Sequence, residues 1–126
     1  MNKLKSIFYI GLGGGIGSIL RYLASLFFNR FVISGFPTGT FMVNSIGCFL
    51  IGLFFGYFEK QIYHTTELRF FFITGLCGGF TTFSTYSNET IQLLQNNQIG
   101  IAFLYTFLSI AIGFGMTYLG IHLVKN

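Results

Sequence analysis

Gly75-Leu-Cys-Gly-Gly-Phe-Thr-Thr-Phe-Ser-Thr-Tyr-Ser-Asn-Glu89 lies within a segment otherwise apolar enough to cross a bilayer. The glycine pair Gly78 and Gly79 is followed by Thr81, Thr82, Ser84, Thr85 and Ser87, interleaved with Phe83 and Tyr86. Lipid tolerates such polarity only where the groups face protein or a water-filled path. The stretch therefore points to a conduction pathway or a bound ion, and away from a passive anchor.

The rest of the chain carries the same message. Only 8% of its 126 residues are charged and 52% are hydrophobic, with a mean hydropathy of +0.69, whereas soluble domains carry about 25% charged residues. This composition is that of an integral membrane protein. At roughly 20 apolar residues per crossing, the length suits a single all-α domain over residues 1–126 with four spans: about 4–28, 38–58, 68–94 and 99–124. A polar connection from Glu59 to Glu67 joins the second and third, and a polar turn at Gln95–Gln98 joins the third and fourth. The first apolar run outlasts the h-region of a signal peptide and has no small-residue cleavage site before Arg21, so it is expected to remain as a span. The glycine run from Gly11 to Gly17 looks like a phosphate loop, but no strand precedes it and no lysine follows. Close helix packing through small residues is the better reading.

The net charge of +4 is spread over scattered basic residues with no nucleic-acid stripe. With four spans, Lys3, Lys5, Lys60, Arg69 and Lys125 fall on one side, and Arg30 on the other, together with Arg21 if it snorkels there. The positive-inside rule then places both termini in the cytoplasm. Cys48 and Cys77 lie in spans without CxxC spacing or neighbouring ligands, and His64 and His122 are far apart in sequence, so no side-chain metal site is expected. No nucleophile–base–acid set is visible, and the chain is not expected to be an enzyme.

Phe83 and Tyr86, three residues apart, project from one helix face. Their electropositive ring edges could line an anion's path without fixed charge, with Ser84, Thr85 and Ser87 as hydroxyl donors and Asn44 as an amide donor. In a chain with 18 phenylalanines, ordinary packing also accounts for the two rings. Gly78, Gly79 and Thr81 suggest a break in the third span that would free backbone carbonyls for a cation such as Na⁺. Close packing of the glycines is the simpler alternative. Arg21 and Glu89 are the only formal charges deep in spans. Snorkelling accounts equally well for Arg21, and Glu89 marks either a pore mouth or the interface.

Three motifs bring these features together: Gly14-Gly-Ile-Gly-Ser-Ile-Leu-Arg-Tyr22, Gly39-Thr-Phe-Met-Val-Asn-Ser-Ile-Gly47 and Gly75-Leu-Cys-Gly-Gly-Phe-Thr-Thr-Phe-Ser-Thr85. In order and spacing, over essentially the whole chain, they resemble the CrcB/Fluc family of fluoride ion channels. The resemblance implies four transmembrane helices with a break in the third, an antiparallel (inverted) dimer with two fluoride pores, and a structural Na⁺ at the dimer centre. On matching positions, the backbone carbonyls of Gly78 and Thr81 would hold that Na⁺. Asn44 would be the pore amide, Thr40 a hydroxyl one turn before it, and Phe83 and Tyr86 the aromatic box. Ser84 and Thr85 would complete a polar track, Tyr105 and Ser109 would be further pore-side residues, and Arg21 and Glu89 match family positions in the first and third spans.

Two departures stand out: many members have phenylalanine at the position of Tyr86, and some have a serine where Gly113 stands. The implied activity is passive export of fluoride across a bacterial-type plasma membrane, protecting against fluoride toxicity. The partner would be a second copy or, given the charge bias, an oppositely oriented paralogue. The competing classes are a small proton-coupled multidrug-type exporter, which needs an intramembrane carboxylate that the first span lacks, and a non-conducting subunit of a paired membrane complex.

Overall fold

The computed structural model describes residues 2–61 and 66–125. His64, and with it the middle of the connection from Glu59 to Glu67, lies outside these residues. In chain order the elements are α1 (Lys3–Phe28), a 3₁₀ turn (Asn29–Phe31), α2 (Thr38–Lys60), α3 (Thr66–Arg69), a π-helical stretch (Phe70–Cys77), α4 (Gly78–Phe80), α5 (Phe83–Gln95) and α6 (Ile99–Lys125). α3, the π-helical stretch and α4 follow without interruption as one helix over 66–80.

Local sequence sets the ends. Asn2 caps α1, its side chain accepting from the Leu4 N–H at 2.9 Å. Ser34 and Gly35 adopt positive φ before Pro37 and turn the chain into α2. Beyond the end of α5, Asn97 adopts φ 60. There the Gln98 N–H reaches the Leu93 carbonyl (2.8 Å) and the Asn97 N–H the Leu94 carbonyl (3.2 Å), the paired bonds of a left-handed helix terminus.

Three helical segments, Lys3–Phe31, Thr38–Lys60 and Ile99–Lys125, are long and apolar enough to cross a membrane. The segment expected as the third span is divided. Thr81 (ψ 159) and Thr82 (φ −149, ψ 120) are extended, and α5 beyond them has only 13 residues. The glycine pair is itself helical and precedes the break.

What the glycines do instead is allow close approach. A Cβ on Gly75 would lie 2.8 Å from the Ile10 carbonyl oxygen and 3.0 Å from Gly13 Cα, and one on Gly79 would meet the Gly14 carbonyl oxygen. A second seam forms where a Cβ on Gly120 would stand 2.8 Å from the Leu53 nitrogen, and one on Gly52 would run into the Thr117 carbonyl. This is the backbone-to-backbone packing that small residues permit between membrane helices.

The register of these contacts gives direction: Gly13 and Gly17 of α1 meet Gly75 and Phe80, while Gly52 and Gly56 of α2 meet Thr117 and Val124. α1 thus runs parallel to helix 66–80, and α2 parallel to α6. Lys125 pairs with Glu59 at 2.7 Å, Lys60 donates to the Val124 carbonyl, and Arg69 lies over the Phe55 ring. Three of the basic residues grouped on one side by the sequence, Lys60, Arg69 and Lys125, therefore share one end of the bundle with Glu59. Much of the outer surface is apolar, with Phe8, Phe103, Phe107, Phe114 and Tyr118 among the exposed side chains.

Candidate functional site

The break is held by side chains. The Asn44 amide of α2 makes two bonds to the backbone of one residue: Oδ1 accepts from the Thr82 N–H at 2.8 Å, and Nδ2 donates to the Thr82 carbonyl at 3.0 Å. Thr82 then caps α5, its Oγ1 accepting from the Thr85 N–H at 3.2 Å and lying 3.1 Å from Thr85 Oγ1. In an unbroken helix the Thr82 N–H would bond the Gly78 carbonyl, and the Thr85 N–H the Thr81 carbonyl. Both donors are diverted. The last helical bond before the break is from the Thr81 N–H to the Cys77 carbonyl at 3.0 Å, and Thr81 Oγ1 donates to the same oxygen. Gly47, one turn beyond Asn44, makes room for this approach: a Cβ there would collide with Thr81 Cγ2.

A second polar node gathers around Glu89. Thr40 donates to its Oε2 at 3.0 Å and Tyr105 to its Oε1 at 3.0 Å. Tyr105 is wholly buried, and its ring meets Phe36 at 5.3 Å and Tyr86 at 5.0 Å between centroids, both edge-on. Glu89 is therefore half-buried between α2 and α6, with each oxygen bonded. Among the described residues no buried side-chain nitrogen or oxygen lacks a partner. The Thr40 hydroxyl is directed to Glu89 rather than to Asn44.

Phe83 and Tyr86 do share a face, with centroids 5.7 Å apart and ring planes inclined at 51°. Phe83 is 78% exposed. With Asn44, Gly78, Thr81 and Ser109, these two rings line an open groove of about 710 Å³. Cys48 and Gly113 lie in its wall. Thr85 is not part of this groove. It lines a separate polar cavity of about 230 Å³ with Ser18, Arg21, Tyr22, Ser25, Thr40 and Thr82. Thr82 lines both. The break thus lies between a largely apolar groove of about 710 Å³ that includes the two rings and a cavity lined by hydroxyl-bearing residues and Arg21. Ser84 is exposed at the start of α5, 3.4 Å from the Thr82 hydroxyl.

Sequence reasoning gave Thr82 no role, although a threonine directly before a helix start is a capping signal. Ser18, Ser25 and Phe36 were also passed over, because their side chains meet the site only through tertiary packing. Among the described residues no cluster of three or more His, Cys, Asp or Glu could hold a metal. A cation here would rest on backbone oxygens, and the Gly78 and Thr81 carbonyls, whose helical donors are diverted, are of the kind a hard, oxygen-seeking ion takes.

Comparison with known proteins returns one family and close relatives. The family described as "CrcB-like protein, Camphor Resistance (CrcB)" matches residues 8–121. A protein of Flavobacterium psychrophilum named "Fluoride-specific ion channel FluC" is 59% identical over 123 residues, 98% of this chain and 99% of that one. One of the same name from Azobacteroides pseudotrichonymphae is 45% identical, covering 93% and 94% of the two chains. Another, from Leptospira interrogans, is 38% identical over 126 residues, the whole of this chain and 99% of its own.

Proposed function

The chain belongs to the CrcB family, and on that premise we propose that it is a passive, fluoride-selective ion channel that releases cytoplasmic fluoride. The observation that carries this reading is the 59% identity, end to end, to a relative named a fluoride-specific ion channel. The geometry supports it: an aromatic and hydroxyl-lined break lies within an apolar helical bundle.

Hydrogen fluoride enters cells as a neutral acid and ionises in the less acidic cytoplasm, where the anion is trapped. An open path lets it leave, driven by an inside-negative potential worth about 2.3 kcal/mol per charge per 100 mV. To enter the path, fluoride must exchange water for protein donors. We assign that exchange to the ring edges of Phe83 and Tyr86 and to the second N–H of the Asn44 amide. The hydroxyl of Ser109 continues the track within the groove, and Thr85 carries it on the other side of the break, in the smaller cavity, with Ser84 exposed beside the Thr82 hydroxyl between them. Arg21 draws anions toward the break from the smaller cavity. Glu89, bonded to Thr40 and Tyr105, fixes the aromatic wall through Tyr105, and its charge sets how closely an anion approaches.

The same reading takes the 66–80 helix and α5 together as one broken crossing, making four, and places the chain in a plasma membrane with its charged end and both termini in the cytoplasm. It gives the protein an antiparallel dimer, with itself or with an oppositely oriented paralogue, whose second subunit covers the open groove and the exposed Phe83. The carbonyl oxygens of Gly78 and Thr81 would hold a sodium ion at the dimer centre, adding fixed positive charge beside the anion path.

Fluoride efflux from liposomes containing only this purified chain, with chloride as control, tests the proposal. Rapid efflux selective for fluoride is the expected result. Equal fluoride and chloride efflux from folded protein would overturn selectivity, and no efflux even with a co-expressed paralogue would overturn conduction.

A further inference from the structure

Two side chains take two of the backbone donors that the break releases. Asn44 Oδ1 takes the Thr82 N–H (2.8 Å) and Thr82 Oγ1 takes the Thr85 N–H (3.2 Å), the donors that an α-helix would have aimed at the Gly78 and Thr81 carbonyls. The arrangement is linked. The second Asn44 bond, from Nδ2 to the Thr82 carbonyl at 3.0 Å, closes a ring around Thr82 and holds it extended at φ −149, ψ 120. In that conformation its hydroxyl caps α5. Gly78, Thr81, Asn44 and Thr82 all line the larger groove, so the residues whose carbonyls lose their donors and the residues that take those donors border the same space.

We propose that Asn44 and Thr82 are positioning residues that keep the Gly78 and Thr81 carbonyls free for a monovalent cation by taking the backbone N–H donors that would otherwise close the helix over them. Asn44 thereby ties the cation site to the anion path that its remaining N–H faces, and neither residue needs to touch the cation. This rests on the proposed sodium site and adds the residues that maintain it. Without the Asn44 amide, the Thr82 N–H turns back to the Gly78 oxygen. Without the Thr82 hydroxyl, the Thr85 N–H loses its side-chain acceptor and is released toward Thr81.

The test is the sodium dependence of thermal unfolding of the purified chain, titrated with NaCl against N-methyl-D-glucamine chloride at constant ionic strength. The wild type is expected to gain stability saturably with Na⁺. In Asn44→Ala and Thr82→Val the midpoint of that titration moves to about 10–100-fold higher Na⁺, the usual cost of losing an outer-shell partner, while Thr82→Ser, which keeps the hydroxyl, stays close to wild type. A merely structural role would lower unfolding temperatures without moving the midpoint. If Asn44→Ala does not fold, the Thr82→Val and Thr82→Ser pair decides alone. Wild-type midpoints in folded variants would overturn the assignment while leaving the cation site standing. Absence of any Na⁺ response in the wild type would overturn the cation site and this inference with it.

Discussion

At the two glycine seams, and at the break between α4 and α5, small or polar residues interrupt apolar helices, yet the outcomes are opposite. Gly13, Gly17 and Gly75 on one seam, and Gly52 and Gly120 on the other, remain helical and bring backbones into contact. Gly78 and Gly79, directly beside the break, are helical too. The chain opens only at Thr81 and Thr82, where a facing amide and an internal hydroxyl compete for the backbone donors. Glycine content alone does not break a helix in an apolar setting, because an unsatisfied N–H there is costly. A helix opens where side chains replace the bonds it gives up.

The largest predicted effect attacks the seams. In Gly13→Val and Gly52→Val the new side chain has backbone in its way, Leu76 nitrogen at 3.0 Å in the first case and Ile121 nitrogen at 3.1 Å in the second. Each is expected to cost about 1–3 kcal/mol or more through overpacking, measured as a lower unfolding temperature in detergent. Next is the polar node. Tyr105→Phe leaves Glu89 Oε1 without its donor, for a loss of about 1–3 kcal/mol. Thr40→Val removes the other donor, and the double variant should depart from additivity, as coupled neighbours do.

Phe83 separates conduction from packing. Because its ring is largely exposed in the single chain, Phe83→Leu should leave the fold intact and slow fluoride efflux roughly tenfold, equivalent to about 1.4 kcal/mol at the barrier. Undiminished efflux would remove Phe83 from the path. The smallest effect belongs to the seam's own control. Nothing lies within 4 Å of a Cβ on Gly11 or Gly15, so Gly11→Ala and Gly15→Ala should change stability by no more than about 0.5–1 kcal/mol, and in the stabilising direction. Destabilisation there as large as at Gly13 would show that helix flexibility, not close approach, is what the glycines provide.

The helical, membrane-embedded character of the chain was legible because apolar run length and charge depletion act residue by residue. The shared face of Phe83 and Tyr86 was legible for the same reason, since three residues on a helix nearly complete a turn. The break was legible to within a few residues, since Thr81 is among those that suggest it and is extended, but what holds it open was not. The glycine pair is the conspicuous local signal, whereas the deciding partner, Asn44, is 38 residues away from Thr82. The separation of Thr85 from the aromatic groove was equally hidden, because one turn of α5 presents its residues to two different cavities.

By itself the sequence determined what short-range chemistry can determine: which segments partition into lipid, where helices start and stop, and which hydroxyls and rings lie along one helix. The tertiary structure alone decided which glycines meet a backbone and which meet nothing, that Glu89 is bound from both sides by α2 and α6, and that the third helix opens after its glycines rather than at them. The reason is that a backbone hydrogen bond in an apolar medium is surrendered only to a competing partner, and that partner is brought into reach by the packing of distant segments.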